Sequence, residues 1–337
     1  MSFSTRFLAG TGVVVMAAGA ALFAQSTDAN KIMADMRKAL GGDKLAAVKS
    51  LSATGKSQRS QGETSMGGDY EMMLELPDKY FAKQAMAQTP MGSIAIKSGF
   101  NGDGLIQETE QPPQMNGMMV FRAGGSSPNA TPEQKAADQR RQMTTQKQEV
   151  TRLALGMFGA AIGAYPLEYS YGGTAESADG KADIINVKGT DDFAGKLFVD
   201  QKTHLPLMFT WMGKEPMSVT TNRSGGPGAP GAGVTRTMPG TNGVQVQAMG
   251  GTSTGKPPTQ EERDQMMKEM EARMAEAEKN RKTVEFRMFY SDYKSVDGVQ
   301  LPHTFQQAIG SNPSSEITIE KYKINPKIDP KKFDIVK

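Results

Sequence analysis

The chain has two histidines in 337 residues, and they sit in similar surroundings. His204 lies in LFVDQKTHLPLMF, residues 197–209, and His303 in YSDYKSVDGVQLPHTF, residues 290–305. In both stretches an Asp-bearing turn precedes the histidine and a Leu-Pro pair adjoins it. Histidine is the usual general base near neutral pH, so any His-dependent chemistry must use one of these turns. Asp200 with His204 could chelate across one turn, with Asp297 and His303 converging from the other. Such a set suits a hard or borderline metal, and it defines one reading of the chain, a metal-dependent enzyme. The spacing does not demand that reading, because the closely spaced H-E-x-x-H type of zinc motif is absent. The G-x-S-x-G elbow of serine hydrolases is absent too, as are the glycine loops that cradle phosphates. With no cysteine there is no disulfide, thiolate ligand, Cys nucleophile or lipidated N-terminal Cys. The plainer reading is a hairpin device used twice. Asp297-Gly298 makes a tight turn, and Leu301-Pro302 marks where the next strand begins, a place that tolerates a missing amide donor.

The elements that must position these turns begin with an N-terminal stretch, MSFSTRFLAGTGVVVMAAGAALFAQ. One early charge, Arg6, precedes an apolar run and the small residue Ala24, the three-part layout of a secretory signal peptide over residues 1–24. Export is therefore expected, with residues 25–337 forming a single domain. The formal charge of +3 is not gathered into a basic stripe, which argues against nucleic acid as a partner. A helix is predicted from Thr27 or Asp28, with Ile32, Met36 and Leu40 on one face and Gly41-Gly42 ending it.

From there to about residue 107 the pattern is that of antiparallel strands. Pro77-Asp78 and the pair Asn101-Gly102 and Asp103-Gly104 are the turn signals. Residues 108–130 read as an irregular connection. Thr131-Pro132-Glu133 then opens a second helix, a cap followed by proline at the first helical position. Its second half, from Val150 to Ile162, is apolar on nearly every face. It is too short to span a bilayer and suits either core burial or a lid over an apolar cavity. Strand texture resumes and alternates, with Leu207, Phe209 and Trp211 expected on one face and Val284, Phe286, Met288 and Tyr290 on another. Turns and not helices separate these strands, which favours a hairpin-connected sheet.

One insertion interrupts the pattern. Residues 220–258 are rich in Gly, Pro and Thr and read as a flexible loop, too poor in apolar groups to offset their ordering entropy. Residues 259–283 read as an inserted helix with a Thr259…Glu262 capping box and a stripe of Met266, Met270 and Met274. The stripe either docks on its own domain or offers an adaptable surface to a partner.

The ending FYSDYKSVDGVQLPHTF…ITIEKYKINPKIDPKKFDI resembles the C-terminal part of exported bacterial proteins of the outer-membrane lipoprotein-sorting (LolA/LolB-like) group. The shared features are a Tyr-x-x-Tyr…Asp-Gly-x-x-Leu-Pro strand pair, an Asn-Pro after the last strand (Asn325-Pro326) and a Phe-bearing tail (Phe333). LFVDQKTHLPLMF resembles an earlier strand of the group, and ANKIMADMRKALGGDKLAAVKSLSATG its N-terminal helix and first strand.

The resemblance implies an α+β fold: a curved antiparallel sheet, an unclosed half-barrel, with helices covering its concave face and the insertion as an addition. It implies a periplasmic carrier that binds a lipid or lipoprotein acyl chain in an apolar cavity, non-catalytic and without a cofactor. Leu207, Phe209, Trp211, Phe286 and Met288 would line the cavity from the sheet, and Leu155, Phe158, Ile162 and Met270 from the covering helices. No transmembrane span is expected once the signal is removed. A second reading keeps the fold but makes it an envelope protein-interaction module, with the Met-rich helix as the docking element.

Overall fold

The computed structural model describes residues 25–61, 64–89, 92–110, 131–163, 165–178, 180–216, 265, 268, 276 and 279–335. Residues 1–24, read from the sequence as a signal, residues 220–258, read as a loop, and Met270 lie outside the described residues. Within 259–283, Gln265, Lys268, Glu276, Lys279 and Asn280 are helical, whereas Arg281 and Lys282 are not and Thr283 opens the next strand.

Helix α1 spans Gln25–Leu40 and ends where Gly41 and Gly42 adopt positive φ, as their lack of a side chain allows. Ala29, Met33, Met36 and Leu40 form its buried stripe. A short α2, Asp43–Ala46, leads into five hairpin-connected strands: β1 Ser50–Gln61, β2 Thr64–Glu75, β3 Lys79–Thr89, β4 Gly92–Asn101 and β5 Gly104–Glu110. The β4–β5 hairpin closes at Asn101↔Gly104, with Gly102 at positive φ, as the dipeptides require. Helix α3, Pro132–Phe158, starts from a capping box in which the Thr131 hydroxyl accepts from the Gln134 amide and the Gln134 side chain accepts from the Thr131 amide. It ends at left-handed Gly159, so the apolar run to Ile162 is only partly helical.

A second meander follows: β6 Leu167–Ser177, β7 Gly180–Gly189, β8 Ala194–Asp200, β9 Pro206–Lys214, β10 Thr283–Val296, β11 Val299–Ile309 and β12 Asn312–Ile324. The last turn, Asp297-Gly298, joins Val296↔Val299 with both central residues at positive φ. That geometry matches the twist of the strands it connects. Strand β11 begins two residues before Leu301, so Pro302 lies inside it, opposite Tyr293, and not at its first position.

The strands form one antiparallel sheet in the order β5-β4-β3-β2-β1-β12-β11-β10-β9-β8-β7-β6. The β1–β12 pairing zips the two meanders together, and β5 and β6 remain the two edges, so the sheet does not close. Helix α3 is the crossover between the edges. Its 27 residues are about 40 Å long. It packs on β4 and β5 near one edge and on β9 and β11 across the middle, while α1 packs on β6 and β11. On α3, Lys147 meets Asp103 in the β4–β5 turn and Gly156, about 14 Å further along, meets Tyr293 of β10. Strands β4 and β10 are six places apart in the sheet, about 29 Å if it were flat, so the sheet curls around the helix. The result is a half-barrel with α1 and the apolar end of α3 in its concavity.

The Asn325-Pro326 pair is a clasp. The Asn325 Oδ1 accepts from the amides of Lys49 (2.7 Å) and Ser50 (3.2 Å), and its Nδ2 donates to the Ala47 carbonyl at 3.1 Å. The Ser50 hydroxyl donates to the Pro326 carbonyl at 2.9 Å. The Asn325 φ of 53° is one that asparagine tolerates better than most residues. Asn325→Ala is expected to lose about 1–3 kcal/mol through these unpaired backbone groups, read as a lower urea midpoint with an unchanged slope. Beyond the clasp the tail crosses the convex face, where Phe333 and Ile328 pack on Phe81 and Ile106.

Candidate ligand-binding face

The concave side of β8–β10 carries a row of aromatic rings. Tyr165 meets Phe193 edge-on with centroids 5.7 Å apart. Phe193 then stacks on Phe209 (5.7 Å), Phe209 on Trp211 (5.9 Å) and Trp211 on Phe286 (5.3 Å). Cross-strand register produces the row, since Trp211 pairs with Phe286 and Phe209 with Met288. Phe209 is fully buried, whereas Trp211, Phe286 and Met288 are half-buried.

Four of the sequence-predicted lining residues, Phe209, Trp211, Phe286 and Met288, are thus brought together. Leu207 is not. Val199 pairs with Pro206 and Phe198 with Met208, which leaves Leu207 as the extra residue of a bulge. The bulge breaks the alternation: Pro206 takes the buried position, and Leu207 is 40% exposed. From α3 and its sequel, Leu155 and Ile162 are buried in the main core and Phe158 is half-buried against it.

A backbone kink sets the Tyr-x-x-Tyr pair. Residues three apart on a strand face opposite ways, but Asp292 between them has φ 55° and interrupts the regular alternation. Both hydroxyls therefore reach α3. Tyr290 donates to the Arg152 carbonyl at 2.7 Å, and Tyr293 lies 3.0 Å from the carbonyls of both Gly156 and Pro206. Burial holds both phenols well above their ordinary pKa.

The two histidines face different neighbours. His204 sits in its turn at φ 57°, with its amide donating to the Asp200 carbonyl. Asp200 is used by the turn itself, accepting from the amides of Lys202 and Thr203 and from the Thr203 hydroxyl. His303 is buried, with Nδ1 2.8 Å from the Ile319 carbonyl and its ring edge-on to Tyr322. Among the described residues no group of three or more His, Asp or Glu is placed to hold a metal ion.

Charged groups also lie on the concave side, and the sequence reading did not single them out. The Arg152 guanidinium lies over Trp211 at 4.4 Å and over Phe193 at 5.3 Å, the placement of a cation–π contact. Burial lowers its pKa to about 10 against the opposing attraction of Glu149. Arg59 of β1 donates to the Gln84 Oε1 at 2.9 Å, and burial lowers its pKa as well. Between their fields is Glu149, whose carboxyl burial pushes up to about 7, outweighing the pull of Arg152 and Arg59. Tyr80, hydrogen-bonded to Tyr70, feels the same carboxylate from β3. Glu149 and Arg152 are largely surrounded by protein yet keep partial solvent contact.

This carboxyl has a measurable consequence. Its folded pKa is raised, so the folded state holds a proton that the unfolded chain has already lost between about 4.5 and 7. Its contribution is complete below the unfolded pKa and is lost as pH rises through about 7. Glu149→Gln is expected to flatten the fall in stability from about pH 5 to 8, by roughly 2–3 kcal/mol. Thermal midpoints of both proteins across that range check it, and parallel profiles would contradict it.

The convex side has a groove of about 320 Å³ between β2–β5 and the tail. Its charges answer one another: Lys97 pairs with Glu108 and Glu110, Lys83 with Glu110, and Lys332 with Glu71.

No protein-family model matches the chain, and no curated protein sequence is significantly similar to it. The chain is similar to several solved structures. One is an outer membrane lipoprotein-sorting protein domain from Vibrio parahaemolyticus, 9% identical, covering 92% of this chain and 97% of that one with a TM-score of 0.43. Another is a LolA superfamily protein from Nitrosomonas europaea, 10% identical over 91% and 97% of the two chains, TM-score 0.42. A DUF1329 family protein from Desulfovibrio piger is 9% identical over 90% and 96%, TM-score 0.45.

Proposed function

We propose that the chain is an exported, periplasmic carrier whose concave face takes up the acyl chain of a lipid or lipoprotein, with no covalent catalysis. The observation that carries this reading is the row of Phe209, Trp211, Phe286 and Met288, contiguous beneath α3 and, beyond Phe209, only half-buried. An apolar surface left partly open inside a half-barrel is suited to an acyl chain, since each methylene it covers contributes about 0.8 kcal/mol. Export rests on the layout of residues 1–24, and no helix among the described residues is long and apolar enough to cross a membrane.

Native mass spectrometry of protein purified from the cell envelope tests the reading. A bound species with the mass of a lipid or an acylated peptide is expected. A bare chain that also fails to take up a fluorescent fatty acid would overturn it.

A further inference from the structure

An acyl cavity needs no charge, and burying guanidinium groups is costly unless something answers them. Yet among the described residues the concave side holds Arg59, Glu149 and Arg152. Arg152 is positioned on both sides. One face lies on Trp211, its backbone carbonyl is fixed by the Tyr290 hydroxyl, and its Nη2 makes a long contact of 3.4 Å with the Gln148 Oε1. Its Nε is buried without a hydrogen-bond partner, and so is the Ser57 Oγ, two residues before Arg59 on the same face of β1. Arginine presents its donors as a planar fork that fits the two oxygens of a carboxylate or phosphate. Such a group at Arg152 would pair the idle donor. Its apolar continuation would meet the aromatic row, because the guanidinium already stacks on that row.

We propose that the bound molecule is an amphiphile with an anionic head, a carboxylate or a phosphate, anchored at Arg152 with Arg59 as the second cation. Its hydrocarbon chain lies along Trp211, Phe286 and Met288. The inference rests on the carrier reading and adds the class of ligand to it. Arg152 selects the head, and the aromatic row holds the tail.

Calorimetric titration of the full-length mature protein with dodecanoate, dodecyl phosphate and dodecanol, each below its aggregation limit, separates the two levels. At least one anion is expected to bind on the order of tenfold or more tightly than dodecanol, the scale of a charge-assisted hydrogen bond. The tighter anion identifies the head. In Arg152→Gln the ratio of anion to alcohol affinity is expected to fall toward one, and Arg59→Gln is expected to reduce it less. Equal affinities for all three ligands in the unsubstituted protein would overturn the head-group inference and leave the carrier reading standing. Binding of none of them would overturn both. Because the three-ligand comparison needs no substitution, it decides the matter even if Arg152→Gln fails to fold.

Discussion

Phe209→Ala is expected to destabilise the protein by about 3–5 kcal/mol, the range for removing a large buried aromatic side chain. Phe209 is fully buried and stacks on Phe193 on one side and Trp211 on the other. Its ring also fills the space beside Gly195, where a β-carbon would come within 2.3 Å of it. Neither neighbour can close the gap easily, because Trp211 is held between Phe286 and Arg152, and Phe193 by Tyr165. The loss should appear as a lower urea midpoint. A change under about 1 kcal/mol would mean that the row is loosely packed, contrary to what is described.

Gly156→Ala carries the second large effect, and its sign is diagnostic. In an exposed helix the substitution would stabilise by about 1 kcal/mol, since glycine is the poorer helix former. Here the new β-carbon would lie 2.4–2.8 Å from three atoms of the Tyr290 ring. The ring is buried and its hydroxyl is tied to the Arg152 carbonyl one turn earlier on α3, so it cannot retreat without breaking that bond. Overpacking of about 1–3 kcal/mol, with roughly 1 kcal/mol for each tyrosine bond lost, outweighs the helix gain. A net destabilisation of about 2 kcal/mol is expected from denaturant unfolding. Net stabilisation would show that α3 does not dock on β10 as described.

Local chemistry made much of the architecture legible. The Thr131-Pro132 cap, the glycines after Leu40 and the Asn101-Gly102 and Asp297-Gly298 turns each force the chain one way, and the structure follows them. Hairpin succession without intervening helices fixed the sheet as antiparallel, and the curved, unclosed form came from the resemblance of its motifs.

What stayed hidden depended on a bulge, a kink and long-range pairing. Leu207 looked like a neighbour of Phe209 because alternation was assumed through Pro206, where the strand carries an extra residue. The reach of Tyr290 and Tyr293 to the same helix required a kink at Asp292 that no composition rule announces. Arg59, Glu149 and Arg152 are ordinary charges on a strand and a helix until the β1–β12 pairing and the α3 crossover place them in one concavity. The histidines were conspicuous for being rare, but one serves its turn and the other packs against Ile319 and Tyr322.

Trp211 is the only tryptophan in the chain and lies in the proposed binding row, so its emission reports directly on occupation of the concave face. Titrating the mature protein with dodecanoate carrying a nitroxide quencher on its chain is expected to give saturable quenching. Unlabelled dodecanoate should reverse it by competition. Emission that stays unchanged up to the solubility limit of the fatty acid would contradict the account, because no acyl chain could then lie along Trp211, Phe286 and Met288.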